Sequence, residues 1–260
     1  MQIHILASGS SGNAVFIELG GCKLLIDAGI SARRIERGLA AVGVRAGDLD
    51  GVLITHEHSD HIQGLDVLIR RHHLPVYARP ATWSAIPCRS KLPGSCCLEL
   101  EETLEKGPVY ITPFSISHDA ADPVGFCFYY RNYKWVLATD LGVVTPNVRE
   151  ALTRADAVVL EANHDVEMLQ KGPYPQFLKQ RIKSKVGHLS NFDAAQLLAT
   201  IPRQPVMEVF LAHLSQKNNH WQLAENTVLR VLKDHGLAAE EEIKLHRTYP
   251  DATASLVNEM

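Results

Sequence analysis

Thr55-His56-Glu57-His58-Ser59-Asp60-His61 places three imidazoles and a carboxylate within six consecutive positions, directly after the apolar run Gly51 to Ile54. A buried strand that stops in H-x-H-x-D-H delivers four donors into one turn. Imidazole and carboxylate together suit zinc, manganese or iron. Two metal ions need more donors than one turn supplies, and three further positions fit. His118 follows the apolar run Ile111 to Ile116, Asp140 follows Val136 to Ala138, and His213 follows Val209 to Ala212. Each stands where a strand stops, which is where a sheet edge presents functional groups to a cleft. Cysteine chemistry does not compete: the five cysteines are odd in number and contain no C-x-x-C pair, against both a disulfide framework and a cysteine zinc site.

The elements that must position these donors follow from the hydrophobic pattern. Strands are expected at Gln2 to Leu6, Ala14 to Leu19, Lys23 to Ile26 and Gly51 to Ile54, with Gly20-Gly21 as a hairpin turn. A helix capped by Ser31 carries Ile35, Leu39 and Val42 and stops at Gly43, and a second runs from about His61 to His73. From Pro75 to Lys106 only a short strand, Val76 to Ala78, is legible. Strands follow at Pro108 to Ile116, Val124 to Tyr130, Lys134 to Ala138 and Ala157 to Glu161. Ser190-x-x-Asp193 reads as a capping box opening a helix. A strand at Glu208 to Ala212, a helix from Trp221 to His235 stopped by Gly236, and a strand at Glu242 to His246 complete the order. The tail from Pro250 reads as loose. Two runs of strands, each closed by helices, predict an α/β fold with two sheets face to face and helices outside.

Composition sets the outer bounds. At 260 residues, 46% apolar and 21% charged, the chain can bury a large core, and a single domain over 1–260 is expected. A net charge of -3, from 26 basic and 29 acidic residues, excludes a uniformly basic nucleic-acid coat but not a local basic patch. The N-terminus has no basic n-region, and no run approaches the roughly 18 to 20 apolar residues of a membrane span, so the cytoplasm is the expected location, with no membrane partner.

These residues resemble the motifs of the metallo-β-lactamase-fold hydrolases. Lys23-Leu24-Leu25-Ile26-Asp27-Ala28-Gly29 is similar to that family's first motif, His56-x-His58-x-Asp60-His61 to its second, and His118, Asp140 and His213 to its third, fourth and fifth. The strings His4 to Asn13 (HILASGSSGN), Glu161-Ala162-Asn163-His164-Asp165, Gly187-His188-Leu189-Ser190-Asn191 and His213 to Asn219 (HLSQKNN) most resemble its YycJ/WalJ branch. The resemblance implies a four-layer αββα sandwich and a phosphodiesterase of nuclease type, with a 5′-to-3′ DNA exonuclease as the sharper expectation. It also implies two divalent ions per chain, zinc or manganese with iron as an option. One ion would take His56, His58 and His118, the other Asp60, His61 and His213, with Asp140 between them. Asp27 would accept a ligand imidazole's other N–H and fix its orientation.

Two such ions about 3.5 to 4 Å apart can hold a bridging hydroxide, because coordination lowers the pKa of bound water toward about 7. Asp60 would orient that nucleophile. His188, just before a helix start whose N–H groups favour an anion, would assist the leaving group or bind phosphate. Lys171, Lys179, Arg181, Lys183 and Lys185 lie in a stretch from Met168 to Phe192 without an acidic residue, a local field that would guide a polyanion. Lys183, Lys185, Ser190 and His164 are therefore expected near the substrate. The Gly-Ser string around Ser10 and Asn13 would offer backbone N–H groups to a phosphate. DNA is expected in preference to RNA, and oligomeric state is not legible. The rival readings are a phosphodiesterase acting on small cyclic or nucleotide esters, and a thioesterase or lactonase using the same metals on an acyl carbonyl.

Overall fold

Alternating apolar residues near the N-terminus fold as hairpin-linked strands. In the computed structural model, which describes residues 1–100 and 102–258, β1 (Gln2–Ala7), β2 (Ala14–Leu19) and β3 (Cys22–Ile26) pair antiparallel. Gly20 and Gly21 turn β2 into β3 with φ of 55° and 84°. A type I′ hairpin needs that left-handed pair, and glycine adopts it without strain. α1 (Ala32–Ala41), whose Ser31 cap accepts from Arg34 N–H, crosses over to β4 (Gly51–Leu53), parallel to β3.

The helix expected over 61–73 is two helices. α2 (Ser59–Ile62) carries the last two donors of the H-x-H-x-D-H string, and α3 (Leu65–His72) follows a break at Gln63 and Gly64. Gly64 N–H donates to Ala28 O at 2.7 Å, and a Cβ there would lie 2.2 Å from Ile30 O. The chain can approach its own backbone there only through glycine.

Next come β5 (Val76–Ala78), α4 (Pro80–Ala85), β6 (Cys97–Glu99), β7 (Leu104–Lys106) and β8 (Val109–Ser115). The stretch 75–106 is thus more regular than its sequence suggests. Pro80 opens α4, where its missing N–H is harmless. The fully buried Trp83 anchors that helix by donating Nε1–H to Leu98 O at 2.8 Å. One aromatic anchor leaves no period to read.

β9 (Val124–Tyr130), β10 (Tyr133–Ala138), α5 (Pro146–Leu152), β11 (Ala157–Glu161), α6 (Val166–Lys171), α7 (Gln176–Ile182), α8 (Asn191–Thr200), β12 (Met207–Ala212), α9 (Trp221–Asp234), α10 (Ala239–Glu242), β13 (Ile243–Arg247) and β14 (Ala254–Val257) complete the chain. The tail is not loose: β14 pairs antiparallel with β1, from Gln2↔Val257 to Ile5↔Ala254. It covers backbone groups that an open β1 edge would leave unpaired.

The chain divides into two compact units, Met1–Pro113 with Ala120–Val124 and Thr248–Met260, and Phe114–Asp119 with Gly125–Arg247. One seven-stranded sheet runs β14-β1-β2-β3-β4-β5-β6, and the other runs β13-β12-β11-β10-β9-β8-β7. In the first unit Ile35 and Leu39 of α1 and Leu65, Leu68 and Ile69 of α3 pack on Phe16, Leu25, Val52 and Val76. In the second, α5, α8 and α9 pack on Val136, Val158, Leu160, Val209 and Leu211. Among the described residues no helix is long and apolar enough to cross a membrane.

Candidate metal centre

β3 and β4 lie side by side in parallel, Ile26 opposite Leu53, so their C-terminal ends bring Asp27 next to Thr55. Asp27 is 2% exposed and takes φ of 60°, a left-handed conformation sparsely populated by non-glycine residues. Held there, its Oδ1 accepts from Thr55 N–H and its Oδ2 from the Thr55 hydroxyl, each at 2.9 Å, while His61 Nδ1 meets Oδ2 at 2.7 Å. Burial pushes the Asp27 carboxyl up, and the charge and hydrogen bond of His61 oppose it. With its hydrogen on Asp27, the Thr55 oxygen is left to accept from His56 Nδ1, 3.0 Å away. His56 and His61 are both fully buried, with ring centroids 4.0 Å apart, and His58 stands edge-on to His56 at 4.6 Å.

The second unit repeats the device. β10, β11 and β12 run parallel with Ala138 beside Leu160 and Glu161 beside Ala212. Their carboxyl ends therefore gather Asp140, Glu161 and His213, at the strand end where open α/β sheets present their sites. Asp140 and His213 also take left-handed φ, 61° and 56°. Such strain persists only where surrounding structure holds it and concentrates at functional sites. At His213 the holding group is Asn163, whose Nδ2 donates to His213 O at 2.8 Å.

Glu161, wholly buried, accepts four hydrogen bonds. Oε1 meets His188 Nδ1 at 2.8 Å and His213 Nδ1 at 2.9 Å, and Oε2 accepts from Leu141 N–H at 2.6 Å and Leu189 N–H at 3.1 Å. Burial raises its carboxyl, but the charges and hydrogen bonds of His188 and His213 prevail and hold it well below the usual carboxylate range. His118 gives Nδ1 to Gly187 O at 3.1 Å, and burial lowers its pKa. Asp140 Oδ1 stands 3.8, 3.7 and 3.6 Å from nitrogens of His118, His188 and His213. Those separations are too long for hydrogen bonds.

Four of the five imidazoles expected as metal ligands, His56, His61, His118 and His213, thus have Nδ1 engaged by a neighbouring oxygen, as does His188. Assigned from these contacts, the tautomer leaves the Nε2 lone pair as the donor, the usual preparation of a histidine for a metal. Asp140, Glu161, His188 and His213 also cluster, each with a nitrogen or carboxylate oxygen within 4.8 Å of the others, and Glu161, both oxygens spent on hydrogen bonds, leaves Asp140 and the imidazoles as the donors. Nitrogen and carboxylate donors of this kind fit a divalent first-row ion.

A family model for the β-lactamase superfamily domain matches residues 23–214. The chain belongs to the metallo-β-lactamase superfamily. It is 39% identical over 257 residues to exodeoxyribonuclease YycJ of Bacillus anthracis, covering 96% of each chain. It is 40% identical over 261 residues to exodeoxyribonuclease WalJ of Streptococcus pneumoniae, covering 98% of this chain and 97% of the relative. The crystal structure of the metallo-β-lactamase-fold protein YhfI from Bacillus subtilis superposes with a TM-score of 0.69 at 15% identity, covering 97% and 98% of the two chains. The α/β fold class expected from the sequence is that of the superfamily.

Around this superfamily framework the residues expected to meet substrate sort differently. Asn13 is 6% exposed and turned inward: Nδ2 lies 3.4 Å from Asp60 Oδ2 and 3.2 Å from His61 Nε2, and Oδ1 accepts from Gly9 N–H. Its amide faces the donor turn, and its backbone N–H is spent on Asp60 O at 2.8 Å. Ser10 is exposed and lines a pocket of about 500 Å³ together with Glu57, Asp60 and Asp66. Ser190 is buried, and its hydroxyl accepts from Asp193 N–H at 3.1 Å and donates to Asp193 Oδ2 at 2.6 Å. The carboxylate thus grips the cap hydroxyl, where a capping box would reach the cap N–H. His164 is 3% exposed, and burial lowers its pKa to about 4. His188 remains partly open to solvent.

The basic stretch is partly neutralised. Lys171 pairs with Glu167 at 2.9 Å, Arg181 pairs with Asp119 at 2.6 Å, and Lys179 donates to Gln170 O. Lys183 and Lys185 are exposed. Thr55, Glu161 and the structural role of Asn13 escaped the sequence reading. The one available signal was an acid closing the otherwise apolar strand Ala157 to Glu161.

Proposed function

We propose that this protein is a divalent-metal-dependent exodeoxyribonuclease that digests DNA in the 5′-to-3′ direction. The observation that carries the reading is the set of four imidazoles with Nδ1 engaged by a neighbouring oxygen, in a chain about 40% identical to exodeoxyribonucleases over nearly its whole length. The proposed ligands are His56, His58, Asp60, His61, His118, Asp140 and His213, for two ions. Bound divalent ions would supply Lewis-acid neutralisation of phosphate charge and a lowered water pKa.

The side chains supply the rest. Asp27 and Glu161 hold imidazoles in orientation. Asp60, within reach of the Asn13 amide, orients the attacking water. His188, its Nδ1 bound to Glu161, keeps Nε2 for the phosphate or for the proton that the leaving oxygen takes. Lys183 and Lys185 draw the DNA backbone by charge.

The test is to incubate manganese- or zinc-loaded protein with 5′-labelled single-stranded DNA, the matching RNA, bis-p-nitrophenyl phosphate and a thioester. DNA should lose its label at the earliest times, and chelation or Asp60→Ala should abolish cleavage. Thioester turnover without diester turnover would overturn the reading, and equal RNA cleavage would remove the DNA preference.

A further inference from the structure

Beyond the donor clusters, the second unit carries exposed aromatic residues that folding leaves unexplained. Phe177 on α7 is 72% exposed and Phe192 at the start of α8 is 47% exposed, with Val186 at 42% between them. Apolar side chains exposed together and rimmed by charge mark binding surfaces. Lys183 and Lys185 lie between the two rings in sequence, and among the described residues no ion pair involves either one.

The segment is rigid. His188 N–H donates to Ile182 O at 2.9 Å and Gly187 N–H to Ser184 O at 3.0 Å, closing the turn onto the end of α7. A Cβ on Gly187 would lie 2.2 Å from both Arg181 O and Ile182 O, and one on Gly142 would lie 2.1 Å from Lys185 O. Ser117 Oγ donates to the same Lys185 carbonyl at 2.6 Å. The turn leads to Ser190, which caps the helix bearing Phe192 and pairs by a backbone bridge with His164. The turn bearing Lys183 and Lys185 runs directly into the helix bearing Phe192, and Phe177 precedes Lys183 by about 9 Å of helix.

We propose that α7 and the turn leading into α8 form a stacking platform for a single DNA strand, with bases on Phe177 and Phe192 and phosphates on Lys183 and Lys185. This rests on the nuclease reading above and adds how the strand is held. Rings interleaved with unpaired cations match the pattern of single-strand binders, in which base–aromatic stacking tolerates any sequence and lysines follow the backbone. A protein partner fits less well, because the core of a protein interface is depleted of lysine. A rigid surface also loses little freedom on binding.

The experiment is a titration of metal-loaded full-length protein into phosphorothioate-linked oligothymidylate containing 2-aminopurine, across a salt series, with sedimentation measured alongside. Phe177→Ala and Phe192→Ala should each raise Kd about tenfold and reduce fluorescence quenching while leaving the slope of log K against log salt unchanged. Lys183→Ala should flatten that slope by about 0.7. Phe177→Trp and Phe192→Trp should restore affinity. Wild-type Kd and quenching in both alanine variants would overturn the platform, as would an effect confined to sedimentation, which would assign the rings to contact between copies of the chain. Cleavage of an unmodified oligonucleotide by the wild type, run in parallel, separates these failures from failure of the nuclease reading.

Discussion

Replacing Glu161 by glutamine tests whether the buried carboxylate exists to set the histidines. Both of its oxygens are committed, Oε1 to His188 and His213 Nδ1, and Oε2 to the N–H groups of Leu141 and Leu189. A carboxamide must put an NH2 on one side or the other. Facing Leu141 and Leu189, it would oppose two backbone donors that cannot change. Facing the imidazoles, it is tolerated if both rings move their proton from Nδ1 to Nε2. The second arrangement costs less: all four hydrogen bonds to the side chain lose their charge assistance, roughly 1 kcal/mol each and about 4 kcal/mol in all.

Its functional consequence is larger. His213 would then present Nε2–H where a ligand needs a lone pair, and loss of such a supporting partner weakens metal affinity about 10- to 100-fold. Competition against a chromophoric chelator should show that drop. Urea unfolding should show that stability loss, and nitrogen-edited NMR of the imidazoles should show the exchanged tautomers. Wild-type metal affinity with His213 still protonated at Nδ1 would refute the reasoning.

Two further perturbations address the scaffold. Gly29→Ala should cost about 3 kcal/mol and reduce metal uptake, because the added Cβ would lie 1.6 Å from Asp60 O and 2.6 Å from Asn13 N, backbone atoms that no rotamer change can move; an unchanged urea midpoint with full metal content would contradict this. His164 titrates near 4 in the folded chain and near 6.5 when unfolded, so the unfolded state binds the extra proton between those values. Its contribution is complete above about pH 6.5 and is lost as pH falls, at roughly 1.4 kcal/mol per unit down to about 4. His164→Gln should flatten the stability profile by that slope, and identical profiles for the two proteins would show that the ring is not held neutral.

Much of the donor set was legible because it is local. Residues 56 to 61 share one turn, so their spacing alone put them together, and the Gly20-Gly21 hairpin and the Ser31 and Ser190 caps are equally short-range. What spacing does not encode is which strand lies beside which. Parallel register of β3 with β4, and of β10, β11 and β12, makes Asp27 the partner of Thr55 and His61 and makes Glu161 the partner of two histidines far away in sequence.

The same limit holds elsewhere. Spacing does not show that the Asn13 amide faces Asp60 and His61. The five-cation stretch lost two charges to partners, one of them Asp119, 62 positions from Arg181. The tail after Pro250 becomes a strand only because β1 offers an unpaired edge. The sequence by itself therefore determined the kind of chemistry, since donor types and their turn are local. Tertiary structure decided which nitrogen each histidine presents, because that depends on hydrogen bonds between strands whose lateral order is a property of the packed sheet.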